Sequence, residues 1–166
     1  MNWEAIGAIG EVVGAVAVIA TLIYLALQIR QNTAALRSTA TQAAHDQAGN
    51  LYNILCSDSD MASIYRRGAL APEELTDDEL AKLNAFLSLA QFYLQNWYMQ
   101  TRDQYIDDTL ISSWSTITAG LSTTPGFKQF WDQRRYVYSP VFREWLETEV
   151  FPKAVGKTYD PLGVRK

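Results

Sequence analysis

Residues 5–29 read AIGAIGEVVGAVAVIATLIYLALQI, and Glu11 is the only side chain in the run that ionises readily. A helix needs about 20 predominantly apolar residues to cross the hydrocarbon core of a bilayer, so this run is long enough to span it. Two look-alikes fit less well. A secretory signal opens with positive charge and closes at a small-residue cleavage site. Here the start of the chain carries Glu4 and Glu11 without a Lys or Arg, and the apolar stretch outlasts a signal core. The core helix of a globular domain is rarely apolar all round for so many residues. Trp3 and Tyr24 strengthen the reading. They stand about 31 Å apart along a helix, near the hydrocarbon thickness, where amphipathic rings favour the two interfaces.

Charge sets the expected orientation. All 14 Lys and Arg residues lie at or after Arg30, and Arg30 and Arg37 closely follow the apolar run. Positive charge is retained in the cytoplasm, so the C-terminal side is expected there and the short acidic N-terminus outside. The lone Cys56 suits a reducing compartment, because one cysteine closes no internal disulfide. The net charge of −4 gives no reason to expect a nucleic-acid partner. The expected division is a transmembrane helix over residues 1–29 and a cytoplasmic helical domain over residues 30–166.

After the span, about 135 residues remain, enough for one compact domain. No Pro/Gly/Ser linker separates the two parts. Leu36, Ala40, Ala44, Ala48, Leu51 and Leu55 recur at three- and four-residue steps, so the spacing predicts uninterrupted helix from Gln28 to Leu55. Further on, helix-start signals come in succession. Ser57–Asp60 caps a short helix through Tyr65 that stops near Gly68, and Thr76-Asp77-Asp78-Glu79 fits a capping box for a helix lasting to about Tyr105. Asp107 or Asp108 opens a helix ending near Gly120, and Thr123-Thr124-Pro125 starts another. Ser139-Pro140 marks the last long helix. No alternating strand pattern appears, and the expected class is all-α: the N-terminal transmembrane helix continues into a long cytoplasmic helix packed with a small helical bundle.

Two stretches of this chain resemble a family of small, functionally uncharacterised single-pass bacterial membrane proteins. The first is the run Thr21–Thr33, TLIYLALQIRQNT. The second comprises Pro125-Gly126-Phe127, Trp131, Arg134-Arg135 and Ser139-Pro140 followed by Phe142. The resemblance covers most of the chain and implies a bacterial inner membrane, an N-terminal span and a helical cytoplasmic domain. It implies no activity and assigns no catalytic residue.

Projected at 100° per residue, the apolar run has two faces. Ile9, Val12, Val13, Val16, Ile19, Ile23 and Leu27 lie on one and suit lipid. Gly7, Gly10, Gly14, Ala17 and Thr21 follow a 3-4-3-4 spacing on the other, with Gly10–Gly14 forming a GxxxG. Small residues let helix backbones approach closely in lipid, so this stripe is the expected contact for a homo-oligomer. Glu11 falls inside the hydrocarbon, where an ionisable group needs a partner, water or a proton. Glu4, Glu11, Val18 and Leu25 share a seven-residue register beside the glycine stripe. In a ring of helices this register would line a central path with two acidic rings and an apolar constriction, the layout of a small cation channel. Competing structural readings are a protonated Glu11 hydrogen-bonded across a dimer, a snorkelling Glu11, and pairing with another membrane protein.

Enzyme chemistry finds little to build on. His45 is the single histidine, and it stands about 16 Å along the helix from Cys56, too far for a Cys–His pair. One His and one Cys exclude a His/Cys metal cluster within one subunit, and no cofactor is expected. Gly156-Lys157-Thr158 lacks the earlier glycine of a phosphate-binding loop, with Phe151 in its place and no strand before it. Asp103/Asp107 and Glu144/Glu147 can share helix faces, but caps and solvated faces explain them better than a carboxylate site. Trp97, Trp114, Trp131 and Trp145 read as core. Arg66-Arg67 and Arg134-Arg135 read as partners for acids or as solvated, with lipid head groups a weaker reading and, for Arg134 to Tyr138, a stacked ligand another. The primary expectation is a non-enzymatic, self-associating inner-membrane protein, in contact with membrane lipids, whose helical domain serves assembly or partner recruitment.

Overall fold

The computed structural model describes residues 3–154, and every regular element among them is helical. Six α-helices follow one another: α1 (Trp3–Ser57), α2 (Ser59–Leu70), α3 (Asp77–Arg102), α4 (Asp108–Leu121), α5 (Pro125–Arg134) and α6 (Pro140–Trp145). The fold is all-α, as the periodicity predicts. The chain divides into two compact units, Met1–Thr39 and Ala40–Lys166, so α1 contributes its first part to one and its residues 40–57 to the other.

The first unit is helix alone. Its described side chains from residue 3 to residue 32 are all exposed, and the stretch is long and apolar enough to cross a membrane by length and composition. Its polar side chains bond locally. Thr21 Oγ1 donates to the Ala17 carbonyl at 2.8 Å, Thr33 Oγ1 to the Ile29 carbonyl at 2.9 Å, and Gln28 Nε2 to the Tyr24 hydroxyl at 2.8 Å. Such i→i−4 bonds satisfy polar groups without calling on water.

The second unit is a bundle, and its helix starts lie where local chemistry puts them. Asp58 Oδ1 accepts from the backbone N–H groups of Asp60 and Met61 to cap α2. Thr76 and Glu79 form a complete capping box on α3, each side chain accepting from the other's backbone. Asp107 caps α4, Thr124 caps α5, and Ser139 caps α6, the last two followed by proline at the first helical position. These side chains satisfy amide donors that the helix itself leaves free.

Helix ends depart from the sequence expectations in three places. Gly68 does not stop α2, which runs to Leu70. It is instead a buried packing position: a Cβ there would press on the Leu75 and Leu83 side chains, and one at Gly126 would fall on the Gly68 carbonyl oxygen. The two glycines let the backbones of α2 and α5 meet. Helix α3 ends at Arg102 rather than near Tyr105, because Gln104 takes a left-handed conformation (φ 61°). Tyr105 N–H then bonds the Gln100 carbonyl and Gln104 N–H the Thr101 carbonyl, the paired closure that usually recruits glycine. The last helix is short. After Trp145 the backbone widens into a π turn over Leu146–Val150, with Phe151 N–H reaching the Leu146 carbonyl, and tightens again through Phe151–Ala154. Pro152 supplies the cause, since it has no N–H for the Thr148 carbonyl and its ring would clash there.

The core is aromatic. Trp97 is fully buried and its Nε1 donates to Gln47 Oε1 at 2.8 Å, tying α3 to the C-terminal part of α1. Trp131 lies nearly parallel to Phe127 and Tyr138, and its Nε1 donates to Glu147 at 3.0 Å. Tyr98 stacks on Trp145 with centroids 4.4 Å apart. Along the predicted stripe of α1, Ala44, Ala48 and Leu51 are buried, whereas Leu36 belongs to the first unit and is exposed. Thermal unfolding should separate caps from backbone contacts: Thr76→Ala is expected to cost about 1 kcal/mol. Gly126→Ala should cost roughly 3 kcal/mol, the upper end of overpacking, and lower Tm by more.

Candidate functional site

Gly7, Gly10, Gly14, Ala17 and Thr21 occur within α1 in the first unit, and all five are exposed. A Cβ built on any of the three glycines meets nothing within 4 Å, so the stripe has open space in front of it. Thr21 has turned its hydroxyl back onto the helix, which leaves the stripe a surface of small groups rather than of free donors. Glu4, Glu11, Val18 and Leu25 are exposed beside it. Among the described residues, Glu4 and Glu11 make no side-chain hydrogen bond or ion pair. One chain therefore presents the register with both carboxylates unpaired among the described residues.

In the bundle the residues considered for chemistry fall apart. His45 lines a shallow pocket of about 240 Å³ with Thr41, Asp107, Thr109 and Ser113. Asp107 is occupied as the cap of α4, and the Thr109 backbone N–H holds its carboxyl below the usual range, with a smaller contribution from His45. Cys56 is exposed and borders a different pocket. Glu147 accepts from both Trp131 Nε1 and Arg135, and Asp103 closes α3. Among the described residues no group of three or more His, Cys, Asp or Glu side chains is placed to hold a metal ion. One arginine of each pair meets an acid, Arg67 with Glu79 and Arg135 with Glu147, while Arg66 and Arg134 are exposed. Gly156-Lys157-Thr158 lies outside the described residues.

The larger cavity of the bundle escaped sequence reasoning. A cleft of about 480 Å³ opens between residues 51–56 of α1 and helices α2, α3 and α4. Its floor is core: Leu51, Tyr65, Phe86, Leu87 and Leu121 are all less than one-tenth exposed. Tyr52 and Cys56 stand exposed at its edge, and the Trp114 ring forms a wall against Tyr52 and Trp97, with centroids 5.8 and 5.4 Å away. No lining side chain is charged. Leu51, Leu55, Leu87 and Trp114 read singly as ordinary core positions, and only the incomplete meeting of four helices makes a cavity.

No family model matches the chain, and no curated protein or solved structure matches it.

Besides Asp107, Glu79 and Tyr138 couple stability to pH. Glu79 is held below the usual carboxylate range, first by the Thr76 backbone N–H and then by the Arg67 guanidinium. Its contribution is present above the ordinary range and is lost as pH falls toward the lowered value. Burial pushes the Tyr138 phenol up to about 12, against smaller opposing effects of Ser88 and Arg134. An unfolded tyrosine ionises near 10, so the stability it lends is complete below pH 10 and is lost as pH rises toward 12. Urea unfolding between pH 9 and pH 11 should show stability falling more steeply in the wild type than in Tyr138→Phe. Equal slopes would mean that the phenol is no more hindered from ionising than in the unfolded chain.

Proposed function

We propose that this chain is a single-pass protein of a bacterial inner membrane that self-associates through its N-terminal helix and carries a cytoplasmic helical domain for assembly or partner recruitment. One observation carries the reading: the first part of α1 is strongly apolar, and its described side chains from residue 3 to residue 32 are all exposed. A soluble monomer does not leave a contiguous apolar surface of that size in water. The locally bonded Thr21, Tyr24 and Gln28 side chains support a non-aqueous surrounding, as does the resemblance of Thr21–Thr33 and of the Pro125–Phe142 residues to single-pass bacterial proteins. The Lys and Arg residues, all at or after Arg30, favour an N-terminus outside and a bundle in the cytoplasm.

Self-association is assigned to Gly7, Gly10, Gly14, Ala17 and Thr21, whose open stripe admits a second backbone at close range. Membrane lipids cover the opposite face, and Glu11 is accommodated at the helix contact. Where assembly closes a ring, the Glu4, Glu11, Val18 and Leu25 register turns to the axis and the cation-channel reading applies. In a dimer, the scaffold reading applies.

Light scattering of the detergent-solubilised protein should give an oligomer mass for the wild type and a monomer mass for Gly10→Leu/Gly14→Leu. A monomeric wild type would overturn self-association, and an oligomeric variant would overturn the glycine contact. Orientation has its own test in Cys56, which is exposed and is the only cysteine. A membrane-impermeant maleimide should label it only after the inner membrane is opened, and labelling in sealed spheroplasts would reverse the assignment.

A further inference from the structure

We draw no further inference here: the strongest candidate, the apolar cleft of about 480 Å³ between residues 51–56 of α1 and helices α2, α3 and α4, carries nothing because nothing in the structure shows what fills or covers it.

Discussion

The hydrogen bond from Trp97 Nε1 to Gln47 Oε1 is the contact through which the long N-terminal helix enters the bundle. Trp97 is fully buried, and a buried indole N–H without an acceptor is costly, so α3 can bury this ring only if a polar side chain comes with it. Gln47 brings that acceptor from α1, and Ala44, Ala48 and Leu51 on the same helix are buried with it. The same rule governs the other end of the bundle, where Trp131 Nε1 finds Glu147 and Arg135 shares that carboxylate. Aromatic mass supplies the burial, and one polar partner per indole makes it affordable.

The close approach of α2 and α5 is the second constraint. Helix surfaces normally keep axes 8–10 Å apart, and small residues reduce that distance. With glycine at both 68 and 126 the backbones touch, and Leu75 and Leu83 fill the flank of Gly68. The bundle thereby uses glycine for packing inside folded helices. The glycines of the first unit stand in open space instead, and there the residue type serves a surface with no partner in one chain. The same chemistry thus does two jobs, separated only by what lies in front of the missing side chain.

Local signals in the sequence were read well because they act locally. Asp58, Thr76, Asp107, Thr124 and Ser139 cap helices through hydrogen bonds to amides two or three residues away, and no distant contact is needed to place them. The misreadings share an opposite origin. Gly68 resembled a terminator because glycine often follows a helix, yet it is kept for a contact 58 residues further along the chain. The turn at Gln104 lacked the glycine that usually announces it, and the π turn before Pro152 follows from a proline whose effect appears several residues upstream. The cleft left no sequence signal, because a cavity is a failure of four helices to meet completely rather than a property of any one of them.

By itself, the sequence determined the all-helical class, the helix starts and the apolar N-terminal run with its glycine stripe and embedded Glu11. All of these follow from propensity, capping and periodicity, which operate over one or two turns. Only the tertiary structure decided where α1 passes from an open helix into the bundle, which glycines are contacts, which acids are occupied by Trp and Arg, and where a cleft remains. Those outcomes depend on the fit of side chains from helices far apart in the chain, and shape complementarity of that kind is not encoded in any local pattern.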